Sequence, residues 1–165
     1  MKLLNIVLCV FTLLSLANAV DTNYVTLKEC NDPNKLMDLQ TFLNSYRYTH
    51  EFDDDFNCAE FTTACAQFLN KSGYEVHEMA LKFADDQTRG HCYPIVKFKD
   101  GWVAIETTRD PDNKLGYIAE PQDSARYHYL TGIFLNNSDE MNDWDWGPDP
   151  VYTGDLTRFI AKNNN

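Results

Sequence analysis

The spacing of apolar residues changes at Gly73, and this change constrains the fold more than any other feature of the chain. Before Gly73, apolar residues recur at helical spacing on one face. That face carries Cys58, Phe61, Cys65, Phe68, Leu69 and Ser72. After it, residues 74–83 have the period of a strand. Helices followed by strands predict an α+β domain in which N-terminal helices pack on an antiparallel β-sheet.

The helix before Gly73 has clear start and stop signals. Asn57 is a good N-cap, and Glu60 stands three residues later, as in a capping box. Gly73 suits the left-handed conformation that ends many helices. The pattern therefore predicts a helix from Cys58 to about Ser72, with Cys58 in its first turn.

An earlier helix is predicted over residues 33–47. Asp32 can cap it, Pro33 suits its first position, and apolar residues follow at helical spacing. Residues 20–33, which precede this helix, are predicted to be irregular.

The second half of the chain contains a hairpin pattern. The apolar runs 91–98 and 102–107 flank Lys99-Asp100-Gly101. Residues 84–90 are predicted to form a polar turn. Pro94 lacks a backbone N–H, which predicts a sheet edge or a bulge there. Further strands are predicted at 116–119 and 127–135, and a surface loop at 144–148.

The first residues are typical of a secretory signal peptide. Lys2 is followed by a mostly apolar stretch over residues 3–16 and by Ala17-Asn18-Ala19, a small-x-small cleavage site. The alternative is a membrane anchor, but the stretch is short for a span of about 20 residues. We therefore expect a signal peptide at 1–19 and one secreted or extracytoplasmic domain at 20–165, with no membrane span after cleavage.

The net charge of −11 bears on possible partners. A strongly acidic protein is repelled by phosphate backbones and by anionic lipid surfaces. Nucleic acid and anionic membranes are therefore not expected as partners.

Cys58 is the candidate nucleophile. The dipole and free N–H groups of a helix start stabilise a thiolate, and the same N–H groups can bind an oxyanion. A cysteine nucleophile also needs a base that is held by an acceptor. The predicted hairpin can bring His91 and Glu106 together across its two strands.

Three sequence segments in this region resemble the transglutaminase-like superfamily of papain-like cysteine enzymes. They are Asn57-Cys58-Ala59-Glu60, His91-x-Tyr93 and Gly101-Trp102-Val103-x-Ile105-Glu106. The order and spacing of Cys, His and acid match that family over about residues 57–108. Two residues depart from its usual pattern, because the acid is Glu rather than Asp and Cys92 replaces a small residue.

The resemblance implies Cys58 as nucleophile, His91 as general base and acid, and Glu106 as the residue that orients His91. It implies acyl transfer through a thioester, to water or to an amine, on a peptide, a protein or a cell-wall peptide. This chemistry requires no metal and no organic cofactor. Candidates for binding the oxyanion or the substrate are Asn57, Tyr46, Tyr48 and Trp102.

Several alternatives stay open from the residues alone. Cys58 could be half of a structural disulfide, since exported cysteines usually pair. Cys30 is expected to pair with Cys65 or Cys92. Neighbouring strand residues face opposite sides, so Cys92 should face away from Cys58 if His91 faces it.

Three further readings compete with the enzyme. The thiols and His91 could bind zinc, although their spacings do not resemble a zinc knuckle. The chain could be a secreted domain of the same fold that binds peptides without catalysis. It could also be a small domain in which the cysteines only cross-link the chain.

Overall fold

The computed structural model describes residues 24–143 and 154–164. The predicted signal peptide at 1–19 and the predicted loop at 144–148 lie outside these residues. The helices are α1 (Pro33–Asn44), α2 (Cys58–Lys71) and α3 (Asp139–Asp143), with a 3-10 turn at Thr157–Phe159. The strands are β1 (Tyr24–Thr26), β2 (Tyr46–Tyr48), β3 (Glu75–Phe83), β4 (Asp86–Phe98), β5 (Gly101–Glu106), β6 (Tyr117–Ala119), β7 (Thr131–Leu135) and β8 (Ile160–Lys162).

Six of the strands form one sheet in the order β1-β7-β3-β4-β5-β6, and every neighbouring pair in it is antiparallel. β2 and β8 form a separate antiparallel pair. The predicted α+β class with an antiparallel sheet is therefore confirmed. In the part of the chain described here, no helix is both long and apolar enough to cross a membrane.

The sheet has a buried layer on each face. On one face, the apolar side of α2 packs with the sheet, and Cys65 and Leu69 join Val96 and Val103 in one core cluster. On the other face, Tyr127 and Tyr129 cover a second cluster built from the alternate residues of β3, β4 and β5. Because β4 lies inside the sheet, its residues 91–96 are buried between these two layers.

The sequence predicted α2 closely. Asn57 caps it in a full capping box with Glu60, and Gly73 has φ of +95° just after its C-cap Ser72. Cys58 is therefore its first residue, as predicted.

Two predictions for the N-terminal part are wrong. α1 ends at Asn44 rather than at 47, because Tyr46–Tyr48 leaves the helix to pair with Ile160–Lys162. Residues 20–33 are not wholly irregular, because Tyr24–Thr26 pairs with β7 at the edge of the sheet. Both pairings join segments far apart in sequence, so local patterns do not reveal them.

Two predictions for the sheet also need correction. The turn between β3 and β4 is only Ala84-Asp85, and the polar residues from Asp86 onward already belong to β4. Backbone pairing does not need apolar side chains at this solvent-exposed end. Pro94 does not lie at a sheet edge, because it is in the inner strand β4, opposite Glu78 of β3. The β4–β5 ladder ends at Ile95, so Pro94 lies just beyond it.

Candidate active site

The β4–β5 hairpin brings His91 and Glu106 into contact. The strands are joined at the Phe98–Gly101 pair, and their ladder runs back to Ile95. Beyond the end of the ladder, Nε2 of His91 lies 3.0 Å from Oε2 of Glu106. The sequence prediction that these two residues meet across the hairpin agrees with this geometry.

Glu106 is fully buried, and each of its oxygens has donors. Oε1 accepts from the backbone N–H of Thr108 at 2.8 Å and from its hydroxyl at 2.7 Å. Oε2 accepts from the Tyr129 hydroxyl at 2.5 Å as well as from His91. Burial opposes ionisation, but the bond and charge of His91, with these other donors, lower the pKa of Glu106 to about 2. The carboxylate is therefore charged at neutral pH.

His91 is held between Glu106 and Cys58. Burial alone would lower the pKa of its ring, but hydrogen bonds to Cys58 and Glu106, together with their charges, raise it to about 9. Because Nε2 faces Glu106, the remaining nitrogen, Nδ1, is the one left for the Cys58 sulfur. The ring is thus protonated at neutral pH and bonded on both sides.

Cys58, the candidate nucleophile, is the first residue of α2 and is half-buried. It packs against the apolar cluster that contains Cys92, and interactions with Cys92 and His91 act on its pKa. These interactions, with Cys92 first and His91 next, hold the pKa of Cys58 well below its ordinary value in spite of burial. The first turn of a helix favours the same thiolate form.

The position of Cys92 corrects a prediction. Cys92 does not face away from Cys58, because it belongs to the apolar cluster against which Cys58 packs. Both His91 and Cys92 act on the pKa of Cys58. Two neighbouring residues of one strand therefore both lie near the Cys58 thiol.

The four predicted oxyanion and substrate residues do not bring free donors to Cys58. Asn57 is engaged as the helix cap: its Oδ1 accepts from Ala59 N and its Nδ2 donates to Asp54 O. Tyr48 is buried and donates to the carbonyls of Phe61 and Leu115.

The other two of these residues take part in packing. The Tyr46 ring packs against Phe42 and Phe68, between α1 and α2. The Trp102 ring packs against His77 and Phe134 on the sheet, rather than beside His91.

Sequence reasoning missed the residues that hold Glu106. Tyr129 donates to it directly, Tyr127 donates to Tyr129 at 3.4 Å, and Arg109 reaches Tyr127 at 3.5 Å. Nε of Arg109 also lies 3.7 Å from the Glu106 carboxylate. Tyr127 and Tyr129 alternate in the sequence, and a buried tyrosine hydroxyl needs a partner, so this spacing is the one available signal.

The four cysteines in the described residues are free thiols. The predicted pairing of Cys30 with Cys65 or Cys92 is wrong. Cys30 donates to Asp100 at 3.4 Å. Cys65 lies on the buried face of α2, next to Tyr48. Within residues 24–143 and 154–164, no three His, Cys, Asp or Glu side chains are grouped so that they could hold a metal ion.

Comparisons with known proteins find no relative. No protein-family model, no curated protein and no solved structure matches this chain. Inferences about function therefore rest on the geometry of the site and on the sequence resemblance described above.

Proposed function

We propose that this protein is a secreted, cysteine-dependent enzyme that transfers acyl groups from peptide or protein amides through a thioester on Cys58. The observation that carries the proposal is the grouping of Cys58, His91 and Glu106 from α2, β4 and β5, in which His91 is bonded to Glu106 and acts on the pKa of Cys58. A nucleophile, a base and an oriented acceptor are the parts that covalent acyl transfer needs.

The acylation step follows from these positions. The Cys58 thiolate attacks the carbonyl carbon, and the backbone N–H of Cys58 at the helix start is placed to donate to the oxyanion that forms. The C–N bond then breaks, and His91 donates its proton to the leaving amine. Glu106 holds the ring and stabilises its charged form throughout.

The deacylation step uses the same residues in reverse order. His91, now neutral, takes a proton from water or from an amine as that nucleophile attacks the thioester. The C–S bond then breaks, and Cys58 leaves as the thiolate beside the protonated His91 ring. Water gives a peptidase or amidase, and an amine gives a transglutaminase-type enzyme. Neither step requires a metal or an organic cofactor.

The arrangement supports a transglutaminase-like or papain-like fold for the whole domain. A helix with Cys58 at its start packs on an antiparallel sheet that carries His91 and Glu106 on adjacent strands. This is the order and placement that the sequence resemblance implies. The expected substrate is an extracytoplasmic peptide, a protein or a cell-wall peptide.

An activated ester tests this proposal without knowledge of the substrate. Mature protein is mixed with p-nitrophenyl acetate, and the release of nitrophenol is followed together with the intact mass. We expect a burst of one equivalent per chain, an acetyl group on Cys58, and steady turnover thereafter. The burst should be absent in Cys58→Ala and retained in Cys65→Ala, which removes a buried thiol of the same helix.

The fate of the acetyl group distinguishes the possible functions. Release that quickens with an added primary amine, and yields the acetamide, indicates an acyltransferase, whereas release unaffected by amine indicates a hydrolase. An acetyl group that forms on Cys58 but is never discharged would contradict an enzyme. It would favour the alternative, a secreted peptide-binding domain on the same fold.

A further inference from the structure

Cys92 is the feature of the site that acyl transfer does not use. It lies on β4 directly after His91, and it is one of the two residues that depart from the pattern of the family that the sequence resembles. Its thiol is fully buried in the apolar cluster against which Cys58 packs. A second thiol beside a nucleophilic sulfur has a chemistry of its own.

We propose that Cys58 and Cys92 form a peroxide-sensitive thiol pair, in which oxidation closes a reversible disulfide that blocks the nucleophile. The geometry behind it is the packing of Cys58 against the apolar cluster that contains Cys92, where the start of α2 meets β4. The oxidant is a hydroperoxide small enough to enter the site.

The two thiols have different roles because their environments differ. Cys58 is half-buried and held as a thiolate, which is the form that a hydroperoxide oxidises. Cys92 is wholly excluded from solvent, and burial raises its pKa well above the ordinary value. Cys58 therefore reacts with the oxidant, and Cys92 reacts afterwards with the product.

In the first step the Cys58 sulfur attacks one oxygen of the hydroperoxide. The O–O bond breaks, the sulfur becomes a sulfenic acid, and the leaving alkoxide takes the His91 proton to become an alcohol. In the second step the Cys92 sulfur attacks the Cys58 sulfur and the S–O bond breaks. The leaving hydroxide takes the Cys92 proton as water. Two thiols are oxidised to one disulfide, and one hydroperoxide is reduced to an alcohol and water.

The other described cysteines cannot substitute for Cys92. Cys65 is two turns further along α2, about 10 Å from Cys58 along the helix axis. Cys30 bonds to Asp100, at the β4–β5 turn. Among the cysteines in the described ranges, Cys92 alone belongs to the cluster against which Cys58 packs.

Peptide mapping after oxidation tests the pair. The reduced mature protein is treated with an excess of hydrogen peroxide over a time course, its free thiols are blocked, and it is digested without reductant. We expect a cross-linked peptide joining Cys58 to Cys92, and full recovery of alkylatable Cys58 after dithiothreitol. Cys65→Ala should behave like the wild type. In Cys92→Ala, Cys58 should instead advance to the sulfinic acid, which dithiothreitol does not reverse.

The proposal is overturned if wild-type Cys58 becomes a sulfinic acid without a linked peptide, or as fast as it does in Cys92→Ala. The wild-type map decides the matter even if Cys92→Ala does not fold. The readout is the covalent state of two sulfurs, so its outcome is separate from acyl transfer. A chain that forms the disulfide but never discharges an acetyl group would retain this inference and lose the proposed function.

Discussion

Nε2 of His91 lies 3.0 Å from Oε2 of Glu106, although fifteen residues separate the two in sequence. A two-residue turn and a short ladder join their strands, and the contact lies just past the end of that ladder. Because both side chains are buried, the pair has little exposure to solvent screening. The charged state of His91 therefore depends on Glu106.

Replacing Glu106 with Gln should lower the pKa of His91. The amide keeps the shape of the side chain but removes its negative charge. Burial lowers the pKa of the His91 ring, and the variant lacks the charge that opposes this effect. In the wild type we expect the His91 ring to titrate near pH 9 by NMR. In Glu106→Gln the midpoint should fall by more than one pH unit.

The other three histidines of the chain serve as internal references in the same spectra. An unchanged His91 midpoint in Glu106→Gln would show that the carboxylate does not control the ring.

Replacing Tyr129 with Phe should remove one of the hydrogen bonds that hold the Glu106 carboxylate in place. The change removes a donor to a buried carboxylate and keeps the ring. We expect the free energy of unfolding at pH 7 to fall by about 2 kcal/mol, and the alkylation rate of Cys58 to fall as His91 loses its fixed position. Urea unfolding and labelling kinetics measure the two effects.

Tyr127→Phe is the matched control for this substitution. Tyr127 lies two residues away and donates to Tyr129 at 3.4 Å, but it does not bond to Glu106. Its effect on Cys58 labelling should be clearly smaller. Equal effects of the two substitutions would mean that general aromatic packing, rather than the bond to Glu106, positions the site.

Glu78 should make the protein less stable as pH rises. Its side chain is buried beneath α2, Ser138 donates to Oε1, and Oε2 has no hydrogen-bond partner among the described residues. Burial raises its pKa from 4.5 to about 7. The folded state therefore binds this proton more tightly than the unfolded state. The resulting stabilisation is complete below pH 4.5 and is lost as pH rises through 7.

Glu78→Gln should remove this pH dependence. The difference between the folded and unfolded pKa values corresponds to about 3 kcal/mol between pH 4 and pH 8. Denaturant titrations at these two pH values measure it. Glu75→Gln, an exposed change on the same strand, should leave the dependence in place. If the free energy of unfolding still falls with pH in Glu78→Gln as it does in the wild type, another group causes the pH dependence.

Asn57 should matter to both the stability and the reactivity of the site. Asn57→Ala removes the cap of α2 and should cost about 1 kcal/mol. It should also raise the pH at which Cys58 becomes reactive, because the first turn that bears the thiol loosens. Asp32→Ala removes the cap of α1 at a similar cost but should leave Cys58 unchanged. Labelling kinetics that respond equally to both substitutions would contradict this local role.

Local signals account for the parts of the structure that were predicted from the sequence. Asn57, Glu60 and Gly73 act within a few residues of one another, so the bounds of α2 could be predicted. The hairpin has a turn signature between two apolar runs, and its register follows from that turn. These two elements alone position Cys58, His91 and Glu106.

The parts that were missed depend on contacts between distant segments. The pairing of Tyr46–Tyr48 with Ile160–Lys162 shortened the first predicted helix, and no local pattern shows it. Tyr129 reaches Glu106 from a loop whose path depends on the whole sheet. Strand alternation predicted the wrong direction for Cys92, because it does not show which cluster under α2 Cys58 packs against, and that cluster contains Cys92.

The pH dependence of Cys58 alkylation in wild type and His91→Ala tests the Cys58–His91 pair most directly. Folded, reduced protein is labelled with iodoacetamide, and each cysteine is followed by peptide mapping, with buried Cys65 as an internal reference. We expect Cys58 to react rapidly well below pH ~8.5, the ordinary thiol pKa, and to lose that reactivity in His91→Ala. Alkylation of Cys58 only near the ordinary thiol pKa, at a rate indifferent to His91, would contradict a working nucleophile and base.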